Sequence, residues 1–156
     1  MKSKITYSRF SWLLTFAVFV VLLVGCIATF HETAKFFILL GMCVVLIISA
    51  LLYGAAYIKV DENYIVLGSF LRTRKIPLHE VESVEIFQPT MGAIRLCASG
   101  GFMGYWGLFR EGDIGRYYGF YGKASECFLV RLKSGGKYVL GCSQPRRMVE
   151  YIKSRI

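Results

Sequence analysis

Two uncharged apolar runs, five residues apart, limit what this chain can fold into. Phe10 to Phe30 reads "FSWLLTFAVFVVLLVGCIATF" and Phe36 to Tyr57 reads "FFILLGMCVVLIISALLYGAAY". As helices rising 1.5 Å per residue, each would reach about 30 Å, the thickness of a bilayer's hydrocarbon core. Lys2, Lys4 and Arg9 would also suit a cleaved signal peptide. The first run is too long for that, however, and the second follows too closely. The expectation is a membrane helical hairpin of two retained spans, at about 10–30 and 36–57, with residues 58–156 forming a separate domain. Ala50 and Gly54, at i and i+4, permit close packing on the second helix.

Positive charge sets the orientation. The tail carries Lys2, Lys4 and Arg9. The connection "HETAK" has Lys35 offset by Glu32, and Lys59, Arg72, Arg74 and Lys75 follow the second run. The positive-inside rule then places both termini in the cytoplasm and the short loop outside. Residues 58–156 hold fifteen Lys and Arg against nine Asp and Glu, a net of +6. Such a domain, starting directly at the membrane surface, faces an anionic leaflet.

Beyond Tyr57 the pattern changes to short strands. Ile58 to Val60 and Tyr64 to Gly68 form a hairpin around Asp61, Glu62 and Asn63. "LRTRKIP" stops at a proline, and "LHEV" suits one helical turn. In "SVEIFQ", Val84 and Ile86 alternate with polar neighbours; in "AIRLCA", Ile94, Leu96 and Ala98 do so; in "CFLVRL", Phe128, Val130 and Leu132. "KSGGK" is a tight turn into "KYVLGC". Ser143 is placed as an N-cap with Pro145 in the first turn, and Val149, Ile152 and Ile156 form one apolar stripe. About seven strands closed by a C-terminal helix suggest a half-open barrel plugged at one end. The five cysteines contain no C-x-x-C pair, and an odd number in a reducing compartment argues against a disulfide framework. They read as small buried hydrophobes, with a reactive thiol or metal site as the alternative.

"RKIPLHEVESVEI" (Arg74 to Ile86) and "FLVRLKSGGKYVLGCSQPRRMVEYI" resemble the strand, Ile-Pro-Leu turn, last hairpin and closing helix of bacterial pleckstrin-homology-like domains. The resemblance covers Ile58 to Ile156 and implies an all-β PH-like barrel with a capping helix. Its motifs speak to fold and hardly to function. Relatives tend to carry acidic residues in the turn after the proline, where this chain has Arg146 and Arg147.

Ser99 to Gly122, "SGGFMGYWGLFREGDIGRYYGFYG", holds eight glycines and eight aromatic residues. It lacks the spacing of a phosphate-binding loop. Its Arg110 and Arg116 are matched by Glu111 and Asp113, so nucleic-acid stacking is not expected either. Two readings stay open. Glycines opposite large rings can bend strands so that a barrel closes, with "GRYYGFYG" a curved strand and "GGFMGYWGLF" the turn before it. Alternatively Phe102, Tyr105, Trp106 and Phe109 contact the membrane interface.

Arg72, Arg74 and Lys75 form the densest basic cluster, and Arg72 and Arg74 share a face if the strand alternates. The cluster suits anionic headgroups or simply a soluble edge strand. Arg146 and Arg147 oppose the helix dipole unless an anion binds there. Neither His31 nor His79 has an acid–base partner in the sequence, so no catalytic residue, metal site or cofactor is expected. The whole suggests a non-catalytic, two-span protein of the bacterial inner membrane. It would dock or assemble a membrane protein, or itself, at the inner face. The alternatives are an anionic phospholipid headgroup-binding domain and a structural subunit of a transport or envelope complex.

Overall fold

The computed structural model describes every residue of the 156 except position 91. Helix α1 spans Arg9–Ala28 and helix α2 spans Thr33–Tyr53. The Ser8 hydroxyl caps α1 by accepting from the Ser11 N–H. Both helices are long and apolar enough to cross a membrane. Their side chains face outward rather than into a protein core, Phe16 being 68% and Ile38 65% exposed. A core helix of a water-soluble domain would cover such residues. Helix α2 ends at Tyr53, short of the expected Tyr57, because Tyr57 already belongs to a strand.

The remaining chain forms two open sheets and a closing helix, and this corrects the expected barrel. The first sheet runs β1 (Lys2–Lys4), β2 (Tyr57–Val60), β3 (Tyr64–Gly68), β4 (Thr73–Pro77), antiparallel throughout. The second contains β5 (Val81–Ile86), β6 (Ile94–Gly101), β7 (Gly104–Glu111), β8 (Gly115–Tyr121), β9 (Cys127–Leu132) and β10 (Lys137–Gly141). Its order is β5-β9-β10-β8-β7-β6, with β8 and β10 parallel. Helix α3 (Pro145–Lys153) packs on β5 and β9.

The described residues thus make ten strands rather than about seven. One addition is the N-terminal tail, which pairs with β2. Another is β7, in the segment expected to be a turn. Its glycines interrupt the alternation by which a strand is recognised.

Two apolar clusters account for the core. The larger is shared by both sheets and α3, and includes Ile58, Leu67, Phe128, Val130, Leu140, Met148 and Ile152. The smaller gathers Phe109, Tyr117, Tyr121, Leu129 and Val139. Strand β9 supplies both clusters, so Leu129 is buried as fully as Phe128 and Val130. Each such side chain is worth about 1.5–3 kcal/mol on removal from water. In β6 the expected inward face is instead exposed at Ile94 and Leu96, because a register shift between Arg95 and Cys97 and an edge position turn it out. Ile86, expected beside Val84, is exposed as well. In α3, Val149 and Ile152 are buried with Met148, whereas Ile156 lies past the helix end and is exposed. Gln144 occupies the N-cap position, and the Ser143 hydroxyl hydrogen-bonds Ser3 in the tail at 3.0 Å.

Candidate functional site

The sheets are fastened to the helices at three places. The first is the tail. Beyond β1, the Tyr7 hydroxyl donates to the Ala55 carbonyl at 2.5 Å, and the Ser8 N–H donates to the Gly122 carbonyl at 3.0 Å. The segments entering α1 and leaving α2 are therefore hydrogen-bonded to one domain and lie on one side of the helical pair. The second is the β3–β4 loop, where the Leu71 N–H donates to the Leu51 carbonyl at 3.0 Å, in the last turn of α2. Phe70 and Leu71 project from this loop, the latter 69% exposed.

The third is the β6–β7 tip. Gly101, Met103 and Gly104 have φ of 123°, 50° and 89°, which turn the chain back on itself within four residues. The Met103 N–H donates to the Thr15 hydroxyl at 3.1 Å, and the Phe102 ring lies 6.0 Å from Phe19. Thr15 and Phe19 are about 9 and 15 Å along α1 from its first residue. The tip therefore lies against the body of the helix rather than its end. The tip also reaches the end of α2, where a Cβ on Gly54 would come into ordinary contact with Met103 at 3.5 Å.

The four aromatic residues expected at a membrane interface divide. Phe102 meets α1. Trp106 stacks on Tyr53 of α2 at 5.3 Å and donates from Nε1 to the Phe102 carbonyl at 3.3 Å. Tyr105 is half-buried and stacks on Tyr121 at 5.0 Å. Phe109 is 2% exposed and stacks on Tyr117, so its ring does not stand on the outer surface of the domain. Leu108 takes the outward position beside it.

The basic cluster at the start of β4 borders two adjoining cavities. Arg72 and Arg74 share a face, whereas Lys75 turns to Tyr64, its ammonium 5.7 Å from that ring's centre. The Arg72 guanidinium lies 5.7 Å from the Tyr53 ring, and that of Arg74 lies 4.8 Å from Tyr118 and 5.7 Å from Tyr138. Cation–π contacts of this kind hold the planes in place while leaving hydrogen-bond donors free. Arg72 and Arg74 line a cavity of about 130 Å³ with Leu52, Tyr53 and Tyr118. Arg74 and Tyr118 also line a shallower depression of about 410 Å³ with Arg116, Lys137 and Tyr138. The two cavities adjoin at Arg74 and Tyr118, the first reaching the end of α2 and the second the β9–β10 turn.

No acidic residue lines either cavity, and neither Arg72, Arg74 nor Arg116 forms an ion pair among the described residues. Arg110 stands directly opposite Arg116 on β7, a like-charge pair that is unfavourable without a counter-charge. Burial pushes the Tyr118 hydroxyl up despite the opposing pull of Arg74, so the ring stays neutral at physiological pH. Arg116, Lys137, Tyr118 and Tyr138 were not singled out by sequence as site residues. The parallel pairing of β8 with β10, which sets Tyr138 beside Tyr118, brings them together.

Arg146 and Arg147 are exposed on the first turn of α3 and share no cavity with the β4 cluster. Burial raises the Cys127 and Cys142 thiols, and Cys97 is exposed. Among the described residues, no three His, Cys, Asp or Glu side chains converge as metal ligands would.

The profile of the bacterial PH domain matches residues 56–156. The chain belongs to that family. No curated protein and no solved structure matches it. The match begins at Ala56, immediately after α2, so the helical pair and tail lie outside the family's own domain. In this bacterial PH domain the tail is nevertheless hydrogen-bonded into the first sheet as β1.

Proposed function

We propose that this bacterial PH domain is a non-catalytic docking module. Two spans anchor it in the bacterial inner membrane with both termini in the cytoplasm, and it holds an acidic, extended segment of a partner membrane protein along β4. The observation that carries this reading is the pair of adjoining cavities lined by Arg72, Arg74, Arg116 and Lys137 together with Tyr53, Tyr118 and Tyr138. β4 is an edge strand, so its outer backbone groups are open to a further strand. Main-chain pairing would supply affinity, and the guanidinium groups would select acidic side chains. The excess of basic residues flanking the helices supports the cytoplasmic side.

A second reading, anionic phospholipid headgroups at Arg72, is favoured by one observation. Phe70 and Leu71 are exposed beside the last turn of α2, next to that guanidinium. Each basic group at an anionic leaflet contributes about 1 kcal/mol.

The test places a photo-crosslinking residue at Thr73 in the full chain, in its own membranes. A discrete protein adduct that disappears in Arg74→Glu/Arg116→Glu supports docking. Adducts indifferent to that double variant refute it. Crosslinks to lipid alone, rising with phosphatidylglycerol content, transfer the site to the headgroup reading.

A further inference from the structure

We propose that a second, separate cavity, at the start of α1, binds the acyl chain of an anionic amphiphile drawn from the membrane. The cavity measures about 530 Å³, within the range of about 300–1,000 Å³ typical of small-molecule sites. It lies between the first turn of α1, the segment leading into β6, and the face of the second sheet away from the larger core. Tyr105, Phe109 and Tyr121 supply aromatic lining, with Tyr105 stacked on Tyr121 at 5.0 Å and Phe109 6.2 Å from the same ring. Phe10, itself 58% exposed on α1, stands at the mouth. A chain leaving the bilayer beside α1 would enter there without crossing water.

The cations decide the head group. Arg95 and Lys123 both line the cavity. Lys123 is paired with Glu126 at 3.0 Å, whereas the Arg95 guanidinium has no side-chain hydrogen bond or ion pair among the described residues. The Arg95 guanidinium lies across Gly100, directly opposite Tyr105 in the strand register. A Cβ on Gly100 would fall 2.2 Å from the guanidinium carbon, so the missing side chain is what lets the charge lie flat there. An aromatic-lined hollow with one uncommitted guanidinium at the rim matches a carboxylate or phosphate joined to a hydrocarbon chain. Free fatty acid and phosphatidylglycerol share that chemistry.

The experiment uses the full chain in phosphatidylcholine nanodiscs with two diazirine probes, in separate arms. One is a palmitate analogue, and the other is a phosphatidylglycerol labelled on its acyl chain. Mass spectrometry should place saturable adducts on Tyr105, Tyr121 or Ala124 in at least one arm, and that arm names the source. Excess unlabelled palmitate or phosphatidylglycerol, matched to the arm, should compete. Ala124→Trp should abolish the sheet adducts, and Arg95→Gln or Gly100→Val should weaken them about tenfold, the loss expected for one charge-assisted contact. Adducts on the outward faces of α1 and α2 should be unchanged in all variants. Adducts confined to α1 and α2 in both arms would overturn the site. So would sheet adducts that neither Ala124→Trp nor competitor reduces. Wild-type competition decides the matter even if a variant fails to fold.

Discussion

Replacing Gly107 with alanine tests whether the glycines of the middle stretch shape the strands. Gly107 lies in β7 opposite Ala98 of β6, with φ of 116°. A Cβ there would sit 2.3 Å from the Cys97 carbonyl oxygen and 2.7 Å from the Ala98 Cα. Both are backbone atoms of the neighbouring strand, so no rotamer change relieves the clash. Holding an L-residue in that backbone region costs about 1–3 kcal/mol, and forcing the strands apart adds about 1–3 kcal/mol. At about 4–8 °C per kcal/mol for a domain of this size, Gly107→Ala should lower the melting temperature by at least about 8 °C. Gly112→Ala is the matched control. A Cβ at that position meets nothing within 4 Å, so its effect should stay within about 1 kcal/mol, with a slight gain in stability allowed. Thermal unfolding of the full chain in nanodiscs, followed by near-ultraviolet circular dichroism, reads both. Equal melting of Gly107→Ala and wild type would rule out a strand-shaping role for Gly107, as would an equal fall in both variants.

Glu111 is buried and accepts from the Thr90 N–H at 2.9 Å, the Thr90 hydroxyl at 2.5 Å and the Tyr117 hydroxyl at 3.4 Å. Glu111→Ala orphans these donors and should cost about 2–4 kcal/mol in chemical denaturation, with Glu111→Gln falling between it and wild type. Burial alone would raise the Glu126 carboxyl, but the Thr6 hydroxyl and the Lys123 ammonium hold it below the ordinary carboxylate value. Its stabilising contribution is therefore present above the unfolded value of about 4.3 and is lost as pH falls through the lower folded value. The melting temperature should drop on acidification below about pH 4, and drop less steeply in Glu126→Gln.

The helical pair was legible because a charge-free run of twenty residues needs no tertiary context to be understood. The hairpin of β2 and β3, and the pair β9 and β10, declared themselves by alternation and by turn residues between them. Strand β1 gave no such signal. Its three residues, Lys-Ser-Lys, acquire strand character only from β2, more than fifty residues away. The open arrangement of the sheets was equally hidden, since closure depends on contacts between distant edges. At the site, Arg72 and Arg74 stood out because they are neighbours in the chain. Arg116 and Lys137 did not, because strand pairing brings them together. That Phe109 points inward and Leu108 outward is not legible in the sequence, because aromatic crowding says nothing of direction. Its strand alternates, burying Phe109 and exposing Leu108.

The β6–β7 tip holds this domain against the two apolar helices. This contact is tested most directly in native membranes with Phe19→Cys/Phe102→Cys in a chain otherwise free of cysteine. The two rings are 6.0 Å apart in the structure. A short bifunctional methanethiosulfonate should bridge the two thiols rapidly within one chain, and the intervening loops should shift its mobility on a denaturing gel. If each single thiol reacts but the pair is never bridged, the domain does not rest on α1 and the account is wrong.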